Sequence, residues 1–229
     1  MSEFLHFSEH RLQELALIIM AAVYTLRIRW LFKFKGGRER QAPTGLSGTS
    51  PRKGILYSWG TIAMPWTMES TRTKFFFYLQ FAFFHIGITL AILLSFLIPY
   101  APSFLTSYPV IIPIFQFLIG LAFLIGIGRI VRRISSKYIR AISSPDDYFS
   151  LILLTVWFGF ALFAVPNQYE QGEGILITYF ILTAFFLIYV PFSKISHYLY
   201  YPFTRFWFGK SMGHRGTYPI RRKPKHAGA

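Results

Sequence analysis

Of the six histidines in this 229-residue chain, only His85 and His197 lie within, or at the end of, a long apolar segment. An imidazole in hydrocarbon is costly unless it is paired, so an ionisable residue in such a place marks a functional site. His85 follows Lys74 by eleven residues, roughly 16 Å at about 1.5 Å per helical residue. His197 precedes Arg205 by eight residues, roughly 12 Å by the same rise if one helix runs that far, which Pro202 argues against. The two segments run antiparallel, so the spacing puts both imidazoles in one half of a bilayer. Two imidazoles so placed on different helices could grip one haem iron from opposite faces, each second ring nitrogen held by a carbonyl or hydroxyl. Such ligation leaves no open iron position and suits electron transfer rather than oxygen binding. The alternative is a pair of hydrogen-bonded packing histidines, with His197 merely interfacial.

The elements that must position these residues are membrane spans. The chain is 53% hydrophobic and 20% aromatic, with 26 Phe and a mean hydropathy of +0.41. Soluble domains do not carry this composition. At about 20 apolar residues per crossing, five spans are predicted: Leu12–Phe34, Phe75–Pro99, Val110–Ile134, Tyr148–Val165 and Gly174–His197. The fold class is therefore all-α, a five-span transmembrane helical bundle. It divides into a membrane domain over 1–197 with a long loop at 35–73, and an aromatic, basic tail over 198–229. The fourth span has the clearest start, with Ser144 as cap, Pro145 at the first helical position, then Asp146 and Asp147 at the positive dipole end. The second begins around Ser70–Thr73. Within the loop, 36–54 is rich in Gly, Pro, Ser, Thr and Arg and reads as flexible. The stretch 55–68 holds Trp59 and Trp66 and reads as interfacial. The acidic opening (Glu3, Glu9) is unlike a cleavable signal peptide.

Charge sets the orientation. Ten of the 24 Lys and Arg lie between Arg27 and Lys74, five between Arg129 and Arg140, and eight from Lys194 onward. With five spans all three groups fall on one side, which the positive-inside rule makes cytoplasmic. The N-terminus is then outside and the C-terminus inside. The opposite loops, 101–109 and 166–173, contain no basic residue. A net charge of +15 also fits nucleic-acid binding, but the bases sit at span ends, where they mark topology and meet lipid headgroups. Nucleic acid is not expected as a partner.

There is no cysteine, so any thiolate-held iron–sulfur cluster must belong to a partner. No catalytic triad or phosphate loop is present, and Gly126-Ile127-Gly128 is too short for a nucleotide motif. Gly87, Gly126 and Gly128 would allow close packing around a macrocycle. Arg129, Lys194 and Arg205, at the inner span ends, are candidate partners for haem propionates; ordinary snorkelling to headgroups explains each equally well. His6 and His10, four apart, could offer a further ligand if helical, or be solvated interfacial residues.

Phe84-His85-Ile86-Gly87-Ile88 resembles the second-helix haem motif of the respiratory nitrate reductase gamma-subunit family of membrane cytochromes b. Pro191-Phe192-Ser193-Lys194-Ile195-Ser196-His197 is similar to its last-helix motif, a Pro-Phe-Ser/Thr-basic run ending in a ligating histidine. The basic link Arg132–Arg140, followed by Asp146 and an apolar helix, is similar in placement. The family also serves heterodisulfide-reductase-like, sulfite-reduction-associated and hydrogenase-linked complexes. The resemblance implies His85 and His197 as axial ligands of one haem b, in a multi-pass subunit of a prokaryotic cytoplasmic membrane. Such a subunit passes electrons between the quinone pool and a cytoplasmic iron–sulfur partner, is not catalytic alone, and uses quinone as substrate. Members with two haems carry further histidines where this chain has residues such as Ser95 and Tyr179, so the resemblance implies the inner haem only. The tail, with Tyr198, Tyr200, Tyr201, Phe203, Phe206, Trp207, Phe208, His214 and Arg221-Arg222-Lys223, would form the docking surface. A haem-free structural anchor and a small transporter are the competing readings.

Overall fold

The computed structural model describes every residue except 35, 36, 38, 39, 44, 46, 47, 68 and 221–229. The basic run Arg221-Arg222-Lys223 and part of the loop expected over 36–54 therefore lie outside the described residues. Helices α1 (Glu3–Glu9) and α2 (Arg11–Lys33) are followed by α3 (Pro51–Gly60), α4 (Glu69–Thr73), α5 (Phe75–Tyr100), α6 (Pro102–Ser107) and α7 (Ile111–Ser135). Then come α8 (Lys137–Ala141), α9 (Pro145–Ala164), α10 (Gly174–Tyr189) and α11 (His197–His214). Five stretches are long and apolar enough to cross a membrane: Glu3–Lys33, Phe75–Tyr100, Ile111–Ser135, Pro145–Ala164 and Gly174–Phe192. The chain is a multi-pass, all-α membrane protein.

The first span begins earlier than Leu12. Ser2 caps α1 by accepting from the Leu5 N–H at 3.1 Å, and the backbone ladder continues through His10 into α2 (His10 N to His6 O, 3.2 Å; Glu14 N to His10 O, 2.9 Å). The fourth span starts as its sequence dictates: the Asp147 carboxylate accepts from both the Ser144 N–H and the Ser144 hydroxyl at 2.8 Å, and Pro145 opens α9. This reciprocal arrangement satisfies donors that a helix start leaves open. Ser70–Thr73 forms the separate short α4, so the second span starts at Phe75.

The chain forms two compact units. The first comprises 1–29 and 79–196, the second 30–78 and 197–229. In the first, α7 and α10 flank α9, and α1 packs on α10. Its core is Phe84, Leu94, Ile119, Trp157, Phe158, Tyr179 and Phe180, all buried. Lipid is as apolar as leucine, so close fit and interhelical hydrogen bonds hold such helices together. A Cβ at Gly87 would overlap the Ala122 methyl, and one at Gly126 would lie 2.5 Å from Thr155 Oγ1. Those two glycines therefore serve helix-to-helix contact, not the cradle expected of them. Gly128 alone of the three faces open space.

In the second unit α3 and α11 form a tight antiparallel pair. Gly54, Gly209 and Gly213 let the backbones touch: a Cβ at Gly209 would lie 2.6 Å from the Gly54 carbonyl and 2.7 Å from the Ser58 Cβ. Helix α11 runs through Pro202, against expectation, because this packing and the Trp59 Nε1–H donated to the Pro202 carbonyl at 2.9 Å hold the segment. The Ser58 Oγ is buried without a hydrogen-bond partner. Replacing it with alanine removes an unsatisfied polar atom at nearly constant volume, so Ser58→Ala should leave thermal stability unchanged or raise it by about 1 kcal/mol. A melting curve of the purified chain checks this.

Candidate functional site

His85 stands nearly three turns into α5, half-buried, in the first unit. Its Nδ1 lies 2.7 Å from the Phe81 carbonyl one turn back. A helical i–4 carbonyl is normally spoken for by the backbone; taking a second donor here fixes the imidazole's rotation and places the proton on Nδ1. The ring is packed between Phe81 at 4.2 Å and Phe84 at 6.1 Å, centroid to centroid. Phe84 in turn meets Phe158 edge to face at 5.3 Å. An imidazole that donates through Nδ1 is the tautomer whose Nε2 can serve as a metal ligand.

His197 is the exposed first residue of α11, in the second unit. The fifth span does not run unbroken to it. Helix α10 ends at Tyr189, and two short 3-10 turns, Val190–Phe192 and Lys194–Ser196, intervene. Pro191 has no N–H to continue the ladder, and Ser193 is extended.

The three basic candidates differ in what they touch. The Arg129 guanidinium sits 4.3 Å above the ring of Phe84, the residue beside His85. Lys194 donates to Ser144 Oγ at 2.7 Å and to the Asp147 carboxylate at 2.9 Å. Arg205 belongs to the α3–α11 pair, where Nε donates to the Ser58 carbonyl at 3.0 Å and Nη2 to Thr61 Oγ1 at 2.6 Å. Arg205 thus closes the end of α3, whose last carbonyls lack helical partners. Arg205→Met should cost about 2 kcal/mol of local stability, since hydrogen bonds to charged groups contribute roughly 1.5–3 kcal/mol. Hydrogen exchange should report it as a loss of protection of roughly 30-fold, tenfold per 1.4 kcal/mol, confined to α3 and α11.

Sequence reading missed a polar cluster at the Arg-rich end of the first unit. In sequence Asp146 and Asp147 stand out as helix-start acids, and Asp146 as part of the resemblance. In the structure the Tyr189 hydroxyl donates to Asp146 Oδ1 and lies 2.9 Å from Ser150 Oγ. Arg133 Nη1 donates to Ser143 Oγ at 2.6 Å and lies 3.9 Å from Asp147. The signal was present: Asp146 and Asp147 are the only acids between Glu69 and Glu170, and Lys194 interrupts an apolar run.

The positions of the other residues are as follows. Tyr179 is wholly buried; its hydroxyl donates to the Ala91 carbonyl and also bonds Ser95, itself 3% exposed. Its ring stacks on Trp157 at 6.3 Å and 13°. Trp157 Nε1 donates to Thr183 Oγ1 at 2.8 Å. His6 and His10 do lie on continuous helix, their rings 4.7 Å apart, and His10 Nε2 is 3.6 Å from the buried Glu9 carboxylate. Among the described residues no three His, Cys, Asp or Glu side chains converge to hold a metal ion. Nearby, hydrogen bonds from Ser2 hold the Glu173 carboxyl below its ordinary range. His214 Nε2 lies 3.2 Å from the Gln41 carbonyl, inside the second unit.

Compared with known proteins, the chain matches no family model, no curated protein and no solved structure.

Proposed function

We propose that this chain is a haem b membrane subunit of a respiratory oxidoreductase complex, similar to the nitrate reductase gamma-subunit family. In this reading His85 and His197 are the axial ligands, and electrons pass between the quinone pool and a cytoplasmic iron–sulfur partner. The carrying observation is the hydrogen bond from His85 to the Phe81 carbonyl, which sets ring orientation and tautomer as iron ligation requires. This arrangement on the His85 side supports the reading. Bound haem supplies a one-electron carrier whose iron cycles between ferrous and ferric.

The residues divide the work. Phe81 and Phe84 pack against the His85 ring and would hold its orientation for a bound haem. Arg129, already over Phe84, is the favoured propionate partner; Lys194 and Arg205 are committed to Asp147 and to α3. The basic residues put the Arg-rich ends on the cytoplasmic side, with the N-terminus outside. That side would receive the iron–sulfur partner on the tail.

One observation supports a single haem. Ser95 and Tyr179, standing about where two-haem members of the family it resembles carry ligands, bond each other and are buried in the core. The same packing weighs against a transporter: the buried hydroxyls and indole of α5, α9 and α10 are bonded to backbone carbonyls or to each other. Pyridine haemochrome analysis of the purified full chain tests the reading. It should find about one haem b per chain, with low-spin bis-histidine spectra. A chain purified from haem-replete cells without haem would make it a structural anchor instead.

A further inference from the structure

At the end of the first unit where α5 stops and α10 starts, the chain gathers charge opposite in sign to its total. Five of its nine acids lie at 3–14 and 170–173, and Arg11 is the only one of the 24 Lys and Arg in those stretches. Within that field His6 and His10 stand one turn apart on continuous helix, their rings 4.7 Å apart. Histidines at i and i+4 share a helix face and are the pair by which helical sites hold zinc. His6 is exposed, so an ion has access to it. His10 sits at the joint between α1 and α2 and is held edge-on against Tyr100 at 5.2 Å.

The carboxylates around the pair differ in what engages them. Glu173 accepts from the Ser2 N–H at 2.5 Å, and Glu14 accepts from the Tyr100 hydroxyl at 3.3 Å with Arg11 at 3.6 Å. Glu9 is the exception. Its side chain is only 7% exposed, and the ion pair it forms is with His10 Nε2 at 3.6 Å, longer than a hydrogen bond. A buried carboxylate is costly unless it is paired or serves a metal. A ligating imidazole characteristically turns its second ring nitrogen to a carboxylate, which fixes the tautomer and raises the basicity of the ligand. With Nε2 facing Glu9, His10 keeps Nδ1 for an ion.

We propose that His6 and His10 bind a divalent transition-metal ion of the zinc class, with Glu9 orienting His10 from behind. Imidazole suits such ions, whereas Mg²⁺ and Ca²⁺ would need oxygen ligands from carboxylates that are engaged here. Among the described residues no third His, Cys, Asp or Glu side chain converges with the pair to hold a metal, so water completes the four positions zinc favours. The site is therefore an exchangeable one. It lies wholly within the first unit and stands apart from the haem reading. Because the two ligands meet at the α1–α2 joint, the bound ion would hold that joint helical.

The test uses the full chain, free of any histidine tag, in lipid nanodiscs titrated with Zn²⁺ by calorimetry. Uptake of about one ion per chain is expected. His6→Ala and His10→Ala should each weaken binding by roughly tenfold or more, and Glu9→Gln by roughly tenfold, as loss of an orienting carboxylate does. His214→Ala should bind as wild type. Cu²⁺ in place of Zn²⁺ should show electron paramagnetic resonance coupling to a pair of nitrogens, reduced to a single nitrogen in either histidine variant. Zn²⁺ should also slow hydrogen exchange around the α1–α2 joint in the wild type and not in His6→Ala. His6→Ala removes an exposed side chain and leaves the buried Leu5 and Ser8 in place, so it separates loss of ligation from loss of fold. A wild-type chain that takes up no Zn²⁺ overturns the proposal. So does uptake that survives in the His6→Ala/His10→Ala double variant, or that disappears in His85→Ala, since either result places the ion elsewhere.

Discussion

His85→Ala and His197→Ala should each remove the haem from the purified chain while the chain still inserts and purifies as a monodisperse species. The expectation follows from where the two residues sit. His85 is half-buried on α5 and is not itself part of the core, to which Phe84 and Phe158 belong. Truncating it leaves Phe84 to hold α5 against α9. His197 is exposed at the start of α11, so its loss takes nothing from the buried core. Loss of either ligand halves the coordination that retains a non-covalent b-type haem, and removal of metal-bound groups is typically far costlier to the cofactor than to the fold. His6→Ala, His10→Ala and His214→Ala should leave the haem in place. A full haem complement in the His85→Ala/His197→Ala double variant would show that other residues hold it.

A second large effect is expected at Gly87. The hydrogen of that glycine faces Ala122 on α7, and any Cβ would overlap the alanine methyl. Ala122 is wholly buried, so it cannot yield without moving α7, which is packed in turn on α9. Overpacking a core costs typically 1–3 kcal/mol when side chains can adjust; here the clash is with a methyl fixed to a backbone. Gly87→Leu should therefore separate α5 from α7, and because His85 is two residues away it should lose the haem as well as folded yield. Gly87→Ala should do the same to a lesser degree. Gly128→Leu is the matched control, since nothing lies within 4 Å of that position, and it should purify as wild type. Size-exclusion profiles and haem content of the three variants, measured side by side, check the ordering.

The spans were legible because hydrocarbon length and hydropathy leave few solutions, and four of the five helices begin within about three residues of the sequence limits. The first does not: Glu3, His6, Glu9 and His10 look solvated in sequence, yet the helix runs through them and Glu9 is buried against His10. The start of α9 was readable from Ser144-Pro145-Asp146-Asp147 alone, since capping is local chemistry. What Asp146 and Asp147 do besides was not, because Tyr189 and Lys194 are more than 40 residues away and the pairing depends on how α10 ends. Pro202 misled in the other direction. A proline inside a helix is a fair reason to end it, but Gly54, Ser58, Gly209 and Gly213 build a contact between α3 and α11 close enough to override that preference. The glycines of the spans were read as room for a macrocycle when two of the three are room for a neighbouring helix. His85 stood out in sequence as an ionisable side chain where hydrocarbon should be; its hydrogen bond to Phe81 could be anticipated only as a class.

Near-infrared magnetic circular dichroism of the oxidised full chain, with low-temperature electron paramagnetic resonance on the same sample, tests the central claim most directly. The charge-transfer band of a ferric haem reports the identity of both axial ligands. One low-spin centre with bis-imidazole ligation is the predicted result, absent in His85→Ala. A haem with methionine, amine or water as its second ligand, or a chain that binds none, would contradict it.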